Sequence, residues 1–181
     1  MRKRTVKENK TGCFLAAKGM QVLGTGLLIA LVLVCLPLTL PRMFGYHIYS
    51  VISGSMEPEI PVGSLLYIKE TEPEGMEEGE VIAFYGMADA GAIITHRVVE
   101  NRVVMGELIT KGDANEKEDI RPVPYGNVIG TVVRTIPGAG SIAEMVTSAR
   151  GKWLAAGSVG LAVVLQMMGG WLGRQRGGSA R

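Results

Sequence analysis

The sequence predicts a mainly β extracytoplasmic domain anchored by two transmembrane helices. Three observations carry that expectation: two long runs without a charged residue, a mixed polar segment of short β-branched stretches between them, and basic residues gathered outside both runs. The first run, 19–41, reads GMQVLGTGLLIALVLVCLPLTLP, and the second, 153–173, reads WLAAGSVGLAVVLQMMGGWLG. As a helix rising about 1.5 Å per residue, each is long enough to cross a hydrocarbon core of about 30 Å.

The first run also has the basic front of a secretory signal. Its apolar stretch exceeds the roughly 7–15 residues of a cleavable signal core, however, and Pro37-Leu38-Thr39-Leu40-Pro41 is a poor small-residue cleavage site, so it reads as an uncleaved anchor. Arg2, Lys3, Arg4, Lys7, Lys10 and Lys18 precede it against one acid, Glu8, and Arg174, Arg176 and Arg181 follow the second run with no acid. The excess of cations at both ends places both termini in the cytoplasm and the middle outside the cell membrane. The expected organisation is a basic tail at 1–18, a helix at 19–41, the outer domain at 42–152, a helix at 153–173 and a basic tail at 174–181. The formal net charge of +2 describes the tails, because the middle is acidic on balance, and gives no argument for a nucleic-acid partner.

Cys13 and Cys35 lie in the first tail and first span, so the outer domain folds without disulfides and has no thiol nucleophile. His47 and His96 are the only histidines, too few for a Cys/His zinc site, and no cofactor is expected. Within the outer domain Tyr46–Ile52, Leu65–Ile68, Val81–Tyr85 and Val128–Thr135 read as strands, and Ile93–Glu100 and Arg102–Ile109 as a hairpin about Asn101. Glu70–Glu80, with six glutamates, Pro73, Gly75 and Gly79, reads as a solvated loop, and Ser141–Arg150 as a short helix leading into the second span. The second span is rich in small residues (Gly157, Ser158, Gly160, Gly169 and Gly170), which suit packing against the first span or a partner.

Candidate chemistry gathers in three places. Ser53-Gly54-Ser55 closes the first strand in a tight turn whose glycine lets backbone approach a substrate and frees an amide to face it. By itself such a tripeptide is also an ordinary loop. His96 shares a strand face with Ile94 and Val98, a placement more common for a hydrogen-bonded core histidine, though a neutral imidazole also suits a base for a serine hydroxyl. Lys111-Gly112-Asp113-Ala114-Asn115-Glu116-Lys117-Glu118-Asp119 is loop-like, and either Asp113 or Asp119 suits a carboxylate that fixes the tautomer of His96. A calcium loop fails there on spacing, lacking glycine at position six and glutamate at twelve.

Together these pieces resemble the type I signal peptidases, over a stretch from the first span to about Pro137. Ser53-Gly54-Ser55-Met56-Glu57-Pro58 is similar to the family's nucleophile box and Gly79-Glu80-Val81-Ile82-Ala83-Phe84 to its next strand. Thr95-His96-Arg97-Val98 is similar to the base box, Lys111-Gly112-Asp113-Ala114-Asn115 through Asp119 to the acidic box, and Val128-Ile129-Gly130 to the strand after it. Most bacterial members carry lysine at the base position. His96 there, with the second anchor, resembles the endoplasmic-reticulum-type branch and its SipW-like bacterial subgroup.

The resemblance implies a serine endopeptidase that removes signal peptides, with Ser55 as nucleophile and His96 as general base. It implies Asp119 as the triad aspartate, Asp113 as a second supporting acid, and Ser53 with the Ser55 amide as the oxyanion hole. The implied partners are signal-peptide-bearing preproteins, the lipid bilayer and an accessory membrane subunit. Ser55 lies fourteen residues beyond Pro41, at most about 50 Å of extended chain, which keeps it near the outer leaflet. Two other readings remain at this point: a serine–lysine dyad using Lys69 or Lys111, and a membrane-anchored β-domain that binds without catalysing.

Overall fold

The computed structural model describes residues 2–86 and 91–177. Residues 1 and 178–181, which include Arg181 and end the two basic tails, lie outside the described residues. The chain divides into two compact units, Met1–Pro37 with Val146–Arg181, and Leu38–Met145.

The first unit is a pair of helices, α1 (Arg2–Thr39) and α3 (Ala149–Gly177). Leu15–Phe44 and Ala149–Leu172 are long and apolar enough to cross a membrane. Their outward residues are apolar and uncovered, as with Val22, Leu23, Leu33, Val163 and Met167, which suits a lipid surround. Where the helices meet, the residues are small. A Cβ on Gly24 would stand 2.9 Å from the Ala162 carbonyl oxygen, and one on Gly169 would stand 2.8 Å from that of Ala17. Removing side-chain bulk at these crossings lets the antiparallel backbones approach, the main source of helix association in lipid. Gly157, Gly160 and Gly170 take no part, since a Cβ there meets nothing within 4 Å. The Ser148 hydroxyl accepts the Gly151 N–H at 3.0 Å and caps α3, which separates it from α2 (Ala139–Thr147). The short helix expected over Ser141–Arg150 is therefore two helices with a break at this cap.

The second unit is a seven-stranded, fully antiparallel sheet. Its strands are β1 (Tyr46–Ser50), β2 (Leu65–Lys69), β3 (Val81–Tyr85), β4 (Ile93–Arg102), β5 (Glu107–Lys111), β6 (Val123–Pro124) and β7 (Val128–Ile136). They run in the order β1-β2-β7-β3-β4-β5-β6. β2 is buried on both faces, which explains its unbroken apolar Leu65–Ile68. Leu66 and Ile68 join Met56, Ile60, Ala83 and Ile129 in one core, while Leu65 and Tyr67 pack on the other face with Ala143 of α2. A further core of Met76, Ile82, Phe84, Val98, Leu108 and Val123 lies under β3, β4 and β5. Each Leu or Ile so buried contributes about 1.5–3 kcal/mol relative to exposure. Gly130, with φ +152°, lets β7 cross β2, since a Cβ there would fall 2.1 Å from the Lys69 carbonyl oxygen.

The hairpin differs from its expected form. β4 runs through Asn101, which pairs with Leu108, and the turn lies at Val103–Met105, closed by left-handed Gly106. Asn101 is a turn former by propensity, but its amide donates to the Pro73 and Met76 carbonyls at 3.0 and 2.9 Å and holds the strand extended. Those bonds also tether the glutamate-rich loop at Glu70–Glu80, whose Met76 is buried in the core rather than solvated.

Candidate active site

β4 projects alternate side chains to opposite faces of the sheet. His96 and Val98 are buried on one face, and Thr95 and Arg97 lie on the other. The His96 ring meets the edge of Phe84 and is 8% exposed. Its Nδ1 lies 2.6 Å from Asp119 Oδ2, the distance of a charge-assisted hydrogen bond in which Nδ1–H donates to the carboxylate. The same carboxylate oxygen accepts the Thr110 hydroxyl at 2.6 Å, and the Asp119 N–H donates to the Thr110 carbonyl at 2.8 Å. Thr110 is wholly buried. The ring nitrogen left for chemistry is Nε2.

Nε2 faces the nucleophile turn across Gly112. A Cβ built on Gly112 would lie 3.0 Å from His96 Nε2 and 2.6 Å from the Ser55 carbonyl oxygen, so imidazole and serine backbone meet at one point. The Ala114 N–H donates to that Ser55 carbonyl at 2.9 Å and ties the acidic loop to the turn. The turn is held from below by Met56 and Ile60, buried in the β2 core, and by the Glu57 N–H bonded to the Gly54 carbonyl at 3.1 Å. Ser55 is half-buried and Ser53 exposed. Both line a cleft of about 290 Å³ whose apolar walls include Ile52, Met56, Ile60 and Ile93. Tyr49 also lines it, and burial, then repulsion from Tyr85, pushes its phenol above the usual 10.0 against the opposing pull of Arg42.

Asp113 occupies a separate position. Its carboxylate receives Arg97 Nε and Nη2 at 2.8 and 2.6 Å, while Arg97 Nη1 donates to the Gly79 carbonyl at 2.7 Å. That bidentate bond is the main cause holding the Arg97 guanidinium above its usual range. Of the two aspartates, Asp119 meets the histidine and Asp113 meets the arginine. Lys69 is exposed on β2 and Lys111 ends β5 beside Arg97. Among the described residues no group of histidine, cysteine and carboxylate side chains is placed to hold a metal ion.

This chain is 45% identical over 91 residues to Signal peptidase I W of Bacillus subtilis (strain 168), a match covering 49% of the chain and 47% of that protein. It thus spans about half the length of that relative. It is 30% identical over 152 residues to the signal peptidase complex catalytic subunit SEC11 of Ogataea parapolymorpha, covering 70% of the chain and 85% of the relative. To the SEC11 subunit of Fusarium vanettenii it is 35% identical over 134 residues, covering 64% and 73%. The chain belongs to the type I signal peptidase family. No protein-family model matches it.

Family membership carries removal of signal peptides, and together with the two apolar helices it marks this signal peptidase as a membrane protein. Two of the residues that build the site escaped the sequence reading. Thr110 falls just beyond the strand expected over Arg102–Ile109, and nothing in its spacing announces a bond to Asp119. Arg97 adjoins the histidine, but strand alternation sends it to the other face, where its partner is fixed only by the path of the loop.

Proposed function

We propose that this signal peptidase cleaves preproteins by acyl transfer, with Ser55 as nucleophile, His96 as general base and then acid, and Asp119 as the orienting carboxylate. The observation that carries this reading is a convergence at Gly112: one imidazole nitrogen is held by the Asp119 carboxylate, and the other lies 3.0 Å from a point that is 2.6 Å from the Ser55 carbonyl oxygen. Neutral His96 Nε2 takes the proton as Ser55 Oγ attacks the carbonyl before the scissile bond. Asp119 keeps Nδ1 protonated and stabilises the imidazolium that forms. His96 returns the proton to the departing amine, and water repeats the sequence to release the signal peptide.

The Ser55 amide and Ser53 hydroxyl serve as oxyanion donors, each lowering the barrier by roughly 3 kcal/mol. The small apolar cleft beside them takes the short side chain that precedes the cut. Asp113 acts indirectly, by bridging Arg97 to the acidic loop. Lys69 and Lys111 take no part as bases, since His96 alone combines a carboxylate partner with approach to the serine turn.

In this reading the residues run as cytoplasmic tail 1–18, helix 19–41, extracytoplasmic catalytic domain 42–152, helix 153–173 and cytoplasmic tail 174–181. The enzyme spans the plasma membrane twice. An accessory membrane subunit is a reasonable partner because relatives are named as catalytic subunits of a complex.

The test is cleavage of a preprotein bearing an Ala-x-Ala site in membranes, by wild type, Ser55→Ala, His96→Ala and His96→Lys. Loss of processing in the first two variants is the expected result, and the third shows whether an ammonium base works in this pocket. Full activity in His96→Ala would overturn the base assignment.

A further inference from the structure

The cleft at Ser55 is not the largest cavity in the outer domain. A second, of about 840 Å³, opens on the opposite side of β4. Ile93 and Thr95 line the cleft with Ser55, whereas Ile94 and His96 line the larger cavity with Asp119. The His96 ring thus borders this second space, while its Nε2 lies at Gly112, where the Ser55 backbone also comes close.

Acyl transfer gives these spaces different occupants. When the peptide C–N bond breaks, the acyl half stays on Ser55 Oγ, and the amine half departs with the proton from His96 Nε2. A chain that lies in the serine cleft up to the scissile bond therefore leaves it on the histidine side. We infer that the 840 Å³ cavity is the binding site for the first residues of the mature protein, an inference that rests on the catalytic reading above.

The lining suits such an occupant. Phe84, Ile94 and Val123 form an apolar floor, and Ile120 stands at the mouth 99% exposed, an apolar side chain with no intramolecular cover. Glu116 and Glu118 line the loop wall along with Asp119, against Lys117 and Arg121. The balance is one negative charge, which favours the ammonium that the mature protein acquires on release. The site therefore reads the substrate twice, first for small residues before the cut and then for side chains that fit an apolar cavity after it.

The experiment uses the full chain in vesicles and preproteins sharing one signal peptide and one Ala-x-Ala site, with Gly-Gly or Trp-Trp as the first two mature residues. An ester of the signal-peptide half with a small alcohol reports acylation without a mature segment. Ile120→Trp narrows the mouth from a fully exposed position, so the fold tolerates it. The expected result is that the kcat/KM ratio of Gly-Gly over Trp-Trp substrate widens at least tenfold in this variant. The loss on the Trp-Trp preprotein should also exceed the loss on the ester at least tenfold. Arg121→Glu should shift preference toward a basic second mature residue. Equal losses on all substrates, or no change in either ratio, would overturn the inference. Ser55→Ala separates the two levels: if it still cleaves, the catalytic reading fails, and if it is inactive while the ratios stay fixed, only the mature-segment site fails.

Discussion

Gly112 is where a single methyl group should do most damage. Its Cβ would stand 2.6 Å from the Ser55 carbonyl oxygen, 2.8 Å from Asn115 Nδ2 and 3.0 Å from His96 Nε2. Asn115 is an exposed side chain and can swing away. The Ser55 carbonyl is backbone, pinned by the Ala114 N–H at 2.9 Å, and His96 is pinned by Asp119 at 2.6 Å. Relief of the overlap must therefore push the serine turn and the imidazole apart. Overpacking of this kind costs about 1–3 kcal/mol, or about 5–15 °C in Tm for a domain of this size. A separation of about 1 Å between reacting groups costs about a hundredfold in rate. Gly112→Ala should therefore lose about two orders of magnitude in kcat/KM on an Ala-x-Ala preprotein while still melting cooperatively. Gly75→Ala is the control, because a Cβ there meets nothing within 4 Å, and its effect should stay within about 0.5 kcal/mol. Gly112→Ala activity within threefold of wild type, measured in the same membranes, would refute the idea that base and nucleophile converge on this residue.

Three further outcomes follow from the same geometry. Thr110→Val keeps the shape of a buried side chain but leaves Asp119 short of a hydrogen bond to a charged acceptor, worth about 1.5–3 kcal/mol; a ten- to hundredfold loss of kcat/KM is expected, with Thr110→Ser retaining most activity. Asp113→Asn breaks a partly exposed bidentate pair with Arg97, so a melt should show roughly 1 kcal/mol of lost stability, and activity close to wild type would show that the loop keeps its path without the pair. Tyr49 holds its phenol proton more tightly folded than unfolded, so its contribution is complete below pH 10 and is lost as the pH rises through its raised folded value; Tyr49→Phe should therefore lose less stability than wild type between neutral and strongly alkaline pH, and identical losses would remove Tyr49 from the account.

Much of the fold could be read from the chain because its strands obey a local rule. Val81–Tyr85 is apolar and β-branched and sits between turn residues, and β3 has those limits. Propensity puts the hairpin turn at Asn101, but Asn101 follows a long-range instruction, the carbonyls of Pro73 and Met76, and stays in the strand. β6 is two residues long and carries a proline, too little pattern to detect. At the site, alternation alone set His96 and Arg97 on opposite faces. The choice between Asp113 and Asp119 depends on a loop path that no periodicity encodes. The bond from Thr110 is hidden for the same reason, since it is the loop path that brings Asp119 to the end of β5.

The acidic loop is fastened at both ends to consecutive residues of one strand, Asp113 to Arg97 on one face and Asp119 to His96 on the other. It straddles the strand as a saddle straddles a beam, with five residues spanning the width. Such a span fixes its own length. Removing a residue would unseat one fastening, and adding one would let the carboxylate slide along the imidazole. The loop at 70–80 is moored at its middle by Asn101 and the buried Met76 and at its end by the Gly79 N–H bonded to the Val98 carbonyl, so its slack lies before Pro73, where insertions can be absorbed. Of these two charged loops, only the saddle has a gauge, and a change of one residue in its length should silence the enzyme as surely as loss of the serine.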